Sequence, residues 1–268
     1  MTLGLSHETV LRLKSLVYGR RGEPYPIAGQ VLRYAPGTRP VRTRYEDSPN
    51  PAIRYDAMQA RLFAEGLNAG DTALDVGAHA GQYALIMAAR CGPGGHVAAF
   101  EPDPHARRML QQNIALNPQL KAPVVEALAA SDAPGEAVLY SQGGNAQSSL
   151  ARTGIGEHVA AHAETFTVPL VTLDGYVADK RLATPRWVKI DTEGAEIRIL
   201  KGAPKLLASD ANLLCELHPY AWAEFGDSFD ELSALVRASG RRIRFLDEDA
   251  EMQASDVRYG TVLLERAG

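Results

Sequence analysis

The chain has 268 residues, of which 46% are hydrophobic and 22% charged, with a formal net charge of -4. That length accommodates one large α/β domain with an extra segment, and the composition is too apolar for a disordered chain. The negative balance argues against a broad phosphate-neutralising surface, so nucleic acid is not the expected partner.

The N-terminal stretch MTLGLSHETVLRLKSLVYGRRG has a helical apolar pattern at Val10, Leu13 and Val17, interrupted by charge and followed by no cleavage site. No run approaches the roughly 18 apolar residues of a membrane helix, so no membrane span and a cytoplasmic location are expected. Residues 20 to 50 are rich in Pro, Gly, Arg and Tyr and read as an irregular or short-stranded arm. We draw the boundary at residue 55, with 1–55 as an arm that is a candidate lid or homodimer contact and 56–268 as the main domain.

Beyond the arm the rhythm changes. TALDVGA, HVAAFEPD and APVVEALAASD are apolar runs, and the first two lead into helical spacing. GPGG at 92–95 closes the first helix, and Asp103 followed by Pro104 opens the second. A β insertion follows, two segments around a Gly, Asn and Ser loop and then a short helix. WVKID and NLLCELHP are the next strands, then a helix near 228–240, with RRIRFLD and YGTVLLERA as a closing pair. Strands buried on both faces and joined by helical crossovers predict a doubly wound, mostly parallel α/β sheet with an N-terminal arm and a β insertion. Cys91 and Cys215 have no cysteine neighbour and are expected to be small buried residues.

In such a sheet ligands bind outside the carboxyl ends of the strands, which here carry Asp75, Glu101, Asp132, Asp191 and His218. In DVGAHAGQ, Gly77 and Gly81 permit close approach to the backbone, and Glu101 lies where a carboxylate can accept from both ribose hydroxyls. A dinucleotide fingerprint would need glycines where His79 and Gln82 stand, which disfavours a pyrophosphate. A looser turn preceded by an acid suits a nucleoside with an amino acid end, such as S-adenosylmethionine.

At the other strand ends, Asp191 and His218 are alternative bases for activating a hydroxyl, and Asp191 is also suited to favour a cation. Glu193 and Glu196 both fit first-turn acids that complement the helix dipole; for Glu193 the alternative is substrate contact or support of Asp191, whereas Glu196 is assigned to the helix. Asp191, Glu193, Glu216 and His218 include the atoms to bind Mg2+, but no tight ligand motif is present, so metal dependence is considered and not favoured. Tyr25, Tyr34, Trp222 and Phe225 either line an acceptor pocket or pack in the core, and Asn145, Gln147, Ser148 and Ser149 either offer polar groups suited to a sugar or shape a turn.

The blocks LDVGAHAGQYAL, AFEPDPHARRMLQQNIALN, LAASD, VTLDGYV, VKIDTEGAEIRILKGA and LLCELHP resemble, in order, those of the FkbM-type methyltransferases, over about residues 70 to 220. The resemblance implies a Rossmann-like class I methyltransferase domain that uses S-adenosylmethionine to methylate a hydroxyl of a sugar, glycan or secondary metabolite. It implies that Asp75 organises the first loop and the methionine amino group, and that Gly77 and Gly81 line methionine and ribose. Glu101 would hold the ribose hydroxyls, Pro102 and Asp103 would lie near the adenine, and Asp132, with Ser131 beside it, would meet the adenine amino group. His79 departs from the pattern, standing where a middle glycine is frequent; it either points away or borders the methionine or substrate. The rival readings are a nicotinamide-dependent oxidoreductase, a noncatalytic cofactor-binding partner subunit, and an RNA methyltransferase using the basic stretch at 33–44.

Overall fold

The computed structural model describes residues 7–27, 29–38, 48–143, 148–152 and 162–267. Asn145, Gln147 and the 39–44 part of the basic stretch lie outside the described residues.

Helix α1 (His7–Tyr18) precedes a hairpin, β1 (Glu23–Ile27) and β2 (Gln30–Tyr34), and then helix α2 (Pro51–Gly66). The alternation follows as β3 (Thr72–Val76), α3 (Gln82–Cys91), β4 (His96–Phe100), α4 (Pro104–Ala115) and β5 (Val124–Glu126). The insertion contributes β6 (Ala129–Ala130), β7 (Gly135–Ser141), β8 (Glu164–Val171) and α5 (Leu173–Asp179). The second half contains β9 (Trp187–Ile190), α6 (Glu196–Lys201), α7 (Pro204–Ala208), β10 (Asn212–Leu217), α8 (Pro219–Phe225), α9 (Phe229–Ala238), β11 (Arg241–Phe245) and β12 (Gly260–Arg266).

Among the described residues, seven strands form the central sheet in the order β11-β12-β10-β9-β3-β4-β5, parallel except that β12 runs antiparallel to both neighbours. TALDV and WVKI are buried along their whole length, as strands covered on both faces require. Alternation sends Leu74, Val76, Val188 and Ile190 into one core layer and Ala73 and Trp187 into the other. Asp75 and Lys189 are register partners on that second face, toward α2 and α3. The chain runs β3, β4, β5 to one side and returns through β9 to the other. The crevice between the β3 and β9 carboxyl ends is therefore the switch point where an open α/β sheet admits a ligand.

One feature differs from the sequence expectation, and the arm takes the short-stranded of its two expected forms. The run expected as one strand before Asp132 is split: Val124–Glu126 pairs in the main sheet, and Ala129–Ala130 leaves it to pair with β8 in a separate three-stranded sheet. Asp132 thus follows a strand of the small sheet. The N-terminal hairpin is ordered and built into the core, with Tyr25, Leu32 and Tyr34 buried in the layer that holds α3. Asn113 fixes it there, accepting from the Ala35 amide at 2.7 Å and donating to the Ala80 carbonyl at 2.8 Å. The boundary drawn at residue 55 falls inside α2, whose Tyr55 and Gln59 reach Asp247 at 2.9 Å and Thr261 at 3.1 Å. Cys91 and Cys215 are free and buried. No helix among the described residues is long and apolar enough to cross a membrane.

Candidate functional site

The loop after β3 is pressed against the loop after β9. Gly77 has φ +81, and a Cβ there would lie 1.7 Å from the Asp191 carbonyl oxygen, so only glycine fits. Gly77 and Ala78 both donate backbone hydrogen bonds to the Phe100 carbonyl at 3.0 Å, which draws the end of β4 alongside. His79 takes a left-handed conformation, φ +47, which explains why glycine suits this position. Its backbone amide donates to Glu101 Oε2 at 2.6 Å, and the Asp103 amide donates to Oε1 at 2.8 Å. Burial nevertheless pushes Glu101 up to about 7, against the pull of those amides.

Across the crevice, Lys189 is 1% exposed and reaches Asp191 Oδ2 at 2.9 Å and Asp75 Oδ1 at 3.9 Å, with Tyr83's ring 4.8 Å from its ammonium. Burial opposes the Lys189 charge, but Asp191 and then Asp75 outweigh it and push its pKa up. Asp75 is wholly buried, and among the described residues its carboxylate has no close side-chain partner besides Lys189. Burial pushes it up to about 6, a rise held in check by Lys189. Burial would likewise raise Asp191, yet Lys189 and His218 together hold it below the ordinary carboxylate value.

Glu193 has φ +53 and accepts from the Tyr220 hydroxyl at 2.8 Å; burial pushes it up to about 7. His218 is 1% exposed, with Nε2 3.5 Å from Glu193 and 4.0 Å from Asp191. Its Nδ1 is 2.9 Å from Glu196 Oε1. Burial disfavours the imidazolium, but the Glu196 bond and the neighbouring carboxylates push His218 up to about 10. Glu216 accepts from the Tyr259 hydroxyl and is pushed up to about 7, by burial first and by Asp191 second.

A cleft with about 720 Å³ of empty space, part of it open solvent, joins these two ends. Gly77, His79, Glu101 and Pro102 line one part and Asp191, Thr192 and Glu193 another, with Ala106, Leu128, Leu139 and Leu150 making apolar wall and Ser148 a polar point. Of the residues singled out from sequence, Gly77, His79, Glu101, Pro102, Asp191 and Glu193 are brought together there. Ser148, from the loop offered for a sugar, joins them there, and the other described candidates lie outside the lining. Asp75 sits beneath it beside Lys189, and His218 stands behind Asp191 and Glu193. Gly81, φ +80, starts α3 where a Cβ would meet Leu110 at 2.2 Å. Asp103 caps α4, accepting from the His105 amide and the Ser141 hydroxyl at 2.7 Å and from the Ser148 hydroxyl. Ser131 bonds Asp132 at 3.0 Å, and Asp132 faces Arg198 at 3.8 Å. Tyr25, Tyr34, Trp222 and Phe225 pack in or against the core instead of lining the cavity.

Sequence reasoning missed Lys189, Thr192 and Tyr220 and saw only part of Glu196: it is a first-turn acid bonded to the Gly194 amide, but it is fully buried and also bonded to His218 and to Trp222 Nε1, each at 2.9 Å. A lysine inside the apolar strand WVKI was the available signal, since a buried charge needs a partner. Among the described residues, Asp191, Glu193 and His218 each offer one ligand atom within 4.8 Å of the others, a set able to hold a divalent cation. Glu216 is not part of that set.

The model of the methyltransferase FkbM domain matches residues 75–243. Hexuronic acid methyltransferase AglP of Haloferax volcanii is 27% identical over 166 residues, 62% of this chain and 64% of that protein. The matched region thus spans less than two thirds of the length of this relative. Among solved structures, a methyltransferase FkbM from Methylobacillus flagellatus aligns with TM-score 0.46 and 14% identity over 81% of this chain and 55% of that one. An S-adenosylmethionine-dependent O-methyltransferase from Thermotoga maritima aligns with TM-score 0.45 and 9% identity over 78% and 64%. The family match runs from the buried Asp75 through Glu101 and Asp191 to His218 and beyond, and by it the chain belongs to the methyltransferase FkbM domain family.

Proposed function

We propose that this domain transfers a methyl group from S-adenosylmethionine to a hydroxyl of a sugar-like small molecule or glycan. The observation that carries the proposal is the single cavity joining the Gly77–Glu101 loop end to the Asp191–Glu193 end. Residues present there fit such a donor. Glu101 retains lone pairs for ribose hydroxyls, which would favour its ionised form, and the Thr192 hydroxyl oxygen is buried on the cavity wall with no partner. The Ala106, Leu128 and Leu139 wall offers apolar contact to an adenine, and the acidic end suits a cation. Bound S-adenosylmethionine supplies an electrophilic methyl on a sulfonium.

The chain's own residues do the rest. Lys189 keeps Asp191 ionised, so Asp191 can orient the acceptor hydroxyl and stabilise positive charge beside it. We assign proton acceptance to Glu193, which lines the cavity and whose pKa of about 7 matches a base working near neutrality. His218 stands behind both carboxylates and is cationic at neutral pH, which supports an orienting role for it. The sugar class of the acceptor is supported by the hexuronic acid methyltransferase relative.

Incubating the protein with S-adenosylmethionine and a panel of neutral sugars, hexuronic acids and glycans tests the proposal. S-adenosylhomocysteine release coupled to O-methylation of a sugar is expected. Release with no member of the panel, despite cofactor binding, would refute the sugar class.

A further inference from the structure

Glu196 is a buried acid that the proton chemistry above leaves unused. It opens α6, and an acid in a first helical turn ordinarily faces water and the free amides. Here it is 0% exposed and its two oxygens serve three partners on three parts of the chain. Oε1 accepts from the Gly194 amide at 2.8 Å and meets His218 Nδ1 at 2.9 Å, while Oε2 accepts from Trp222 Nε1 at 2.9 Å. The Gly194 amide belongs to the turn that presents Glu193. That turn is tightly specified, because Gly194 has φ +116 and a Cβ there would lie 2.4 Å from Ala221 Cβ. One carboxylate therefore ties the Glu193 turn, the imidazole at the end of β10 and the indole of α8.

We propose that Glu196 is a positioning residue that accepts His218 Nδ1–H, turning Nε2 toward Asp191 and Glu193, and braces the Glu193 turn, so that it governs proton acceptance from behind the cavity. The proposal rests on the reading of Asp191 and Glu193 as the reacting end. The groups facing His218 are Asp191 and Glu193 from the loop after β9, Glu196 from α6, Tyr220 from α8 with ring centroids 5.8 Å apart, and Tyr259 before β12 at 5.4 Å. Glu216, two residues back on the same strand, also interacts with it. Among the described residues Glu196 is the partner of Nδ1, and that bond fixes which ring nitrogen turns inward.

The test begins with 15N NMR of the imidazoles in the wild-type protein, titrated upward past about pH 10, where the cationic His218 gives up one ring proton, with His218 assigned by loss of its signals in His218→Gln. The neutral form must carry its proton on Nδ1; a proton on Nε2 overturns the proposal without any variant of Glu196. Next, Glu196→Gln is combined with Trp222→Phe, because a Gln amide would oppose the indole N–H as a second donor, and Trp222→Phe alone is the reference. Relative to that reference, His218 should titrate at least about one pH unit lower. With a transferable acceptor, kcat should fall on the order of ten- to a hundredfold and the Glu193 limb of the pH–rate profile should move. S-adenosylhomocysteine affinity should stay within about threefold, since Glu196 is remote from the Gly77–Glu101 end. An unmoved titration, or a moved titration with unchanged kcat and pH profile, overturns it. If the wild type transfers no methyl, the functional reading fails by that result alone, while the imidazole titration still reports on Glu196.

Discussion

Replacing Lys189 by Met removes the cation from a buried acid pair while keeping an unbranched stem against Tyr83. In the native protein the ammonium lies 2.9 Å from Asp191 and 3.9 Å from Asp75. At an effective dielectric near 20 these separations correspond to roughly 6 and 4 kcal/mol of gross attraction, most of it offset by the desolvation of three charged groups. The net loss on stranding buried charges is about 3–5 kcal/mol. For a chain of this size that lowers Tm by roughly 6–20 °C. The loss must also depend on pH with a definite sign. Without Lys189, Asp75 and Asp191 titrate higher in the folded protein, so the folded state holds more protons than the unfolded one and stability falls as pH rises. Thermal melts at pH 5.5 and pH 8 should show a deficit at pH 8 about twice that at pH 5.5 or more, and adding Asp191→Asn should recover part of it. A deficit equal at both pH values would refute the electrostatic account and leave only lost packing.

The remaining expectations concern binding, chemistry and pH. Glu193→Gln should lower kcat by on the order of 10²–10⁴ and remove a rate limb that, for a base needing its unprotonated form, rises with pH through about 7; a limb rising instead near 10 would assign the base to His218. Gly77→Ala forces a Cβ to within 1.7 Å of the Asp191 carbonyl, so the two loops must part; S-adenosylhomocysteine affinity by calorimetry should drop on the order of a hundredfold, and an unchanged affinity would contradict the close-packed crevice. Asp75 titrates at about 6 and Glu101, Glu193 and Glu216 at about 7 in the folded protein, all raised above unfolded values near 4, so the ligand-free protein should lose stability as pH rises from about 4 to about 7. Over the same range S-adenosylmethionine, with its sulfonium, should gain affinity relative to uncharged-sulfur S-adenosylhomocysteine, which parallel calorimetry at pH 6 and pH 8 measures directly.

Much of this molecule is written locally. TALDV and WVKI read as strands because every position is apolar or paired, Asp103–Pro104 marks a helix start that the structure caps as expected, and the glycine at 77 announces a conformation that no other residue fits. The split before Asp132 was not legible, because the apolar run is uninterrupted and the change of sheet is decided by pairing with β8, some forty residues later. The arm hid its hairpin behind two prolines in EPYPI, and its buried tyrosines gave no sign of whether they faced core or ligand. Glu196 looked like any first-turn acid, and its partners His218 and Trp222 come from the next strand and helix. Lys189 was passed over although its strand carried the signal, since a lysine in a buried strand demands an anion; Asp75 becomes its register neighbour only once the sheet order is known.

The measurement that tests the central claim most directly is calorimetric titration of the purified protein with S-adenosylhomocysteine, with NAD in a parallel cell and Glu101→Gln as the variant. The account predicts micromolar binding of S-adenosylhomocysteine, none of NAD, and at least about a tenfold weakening in the variant as charge-assisted bonds to the ribose are lost. Binding of NAD alone, or S-adenosylhomocysteine binding indifferent to Glu101, would contradict it.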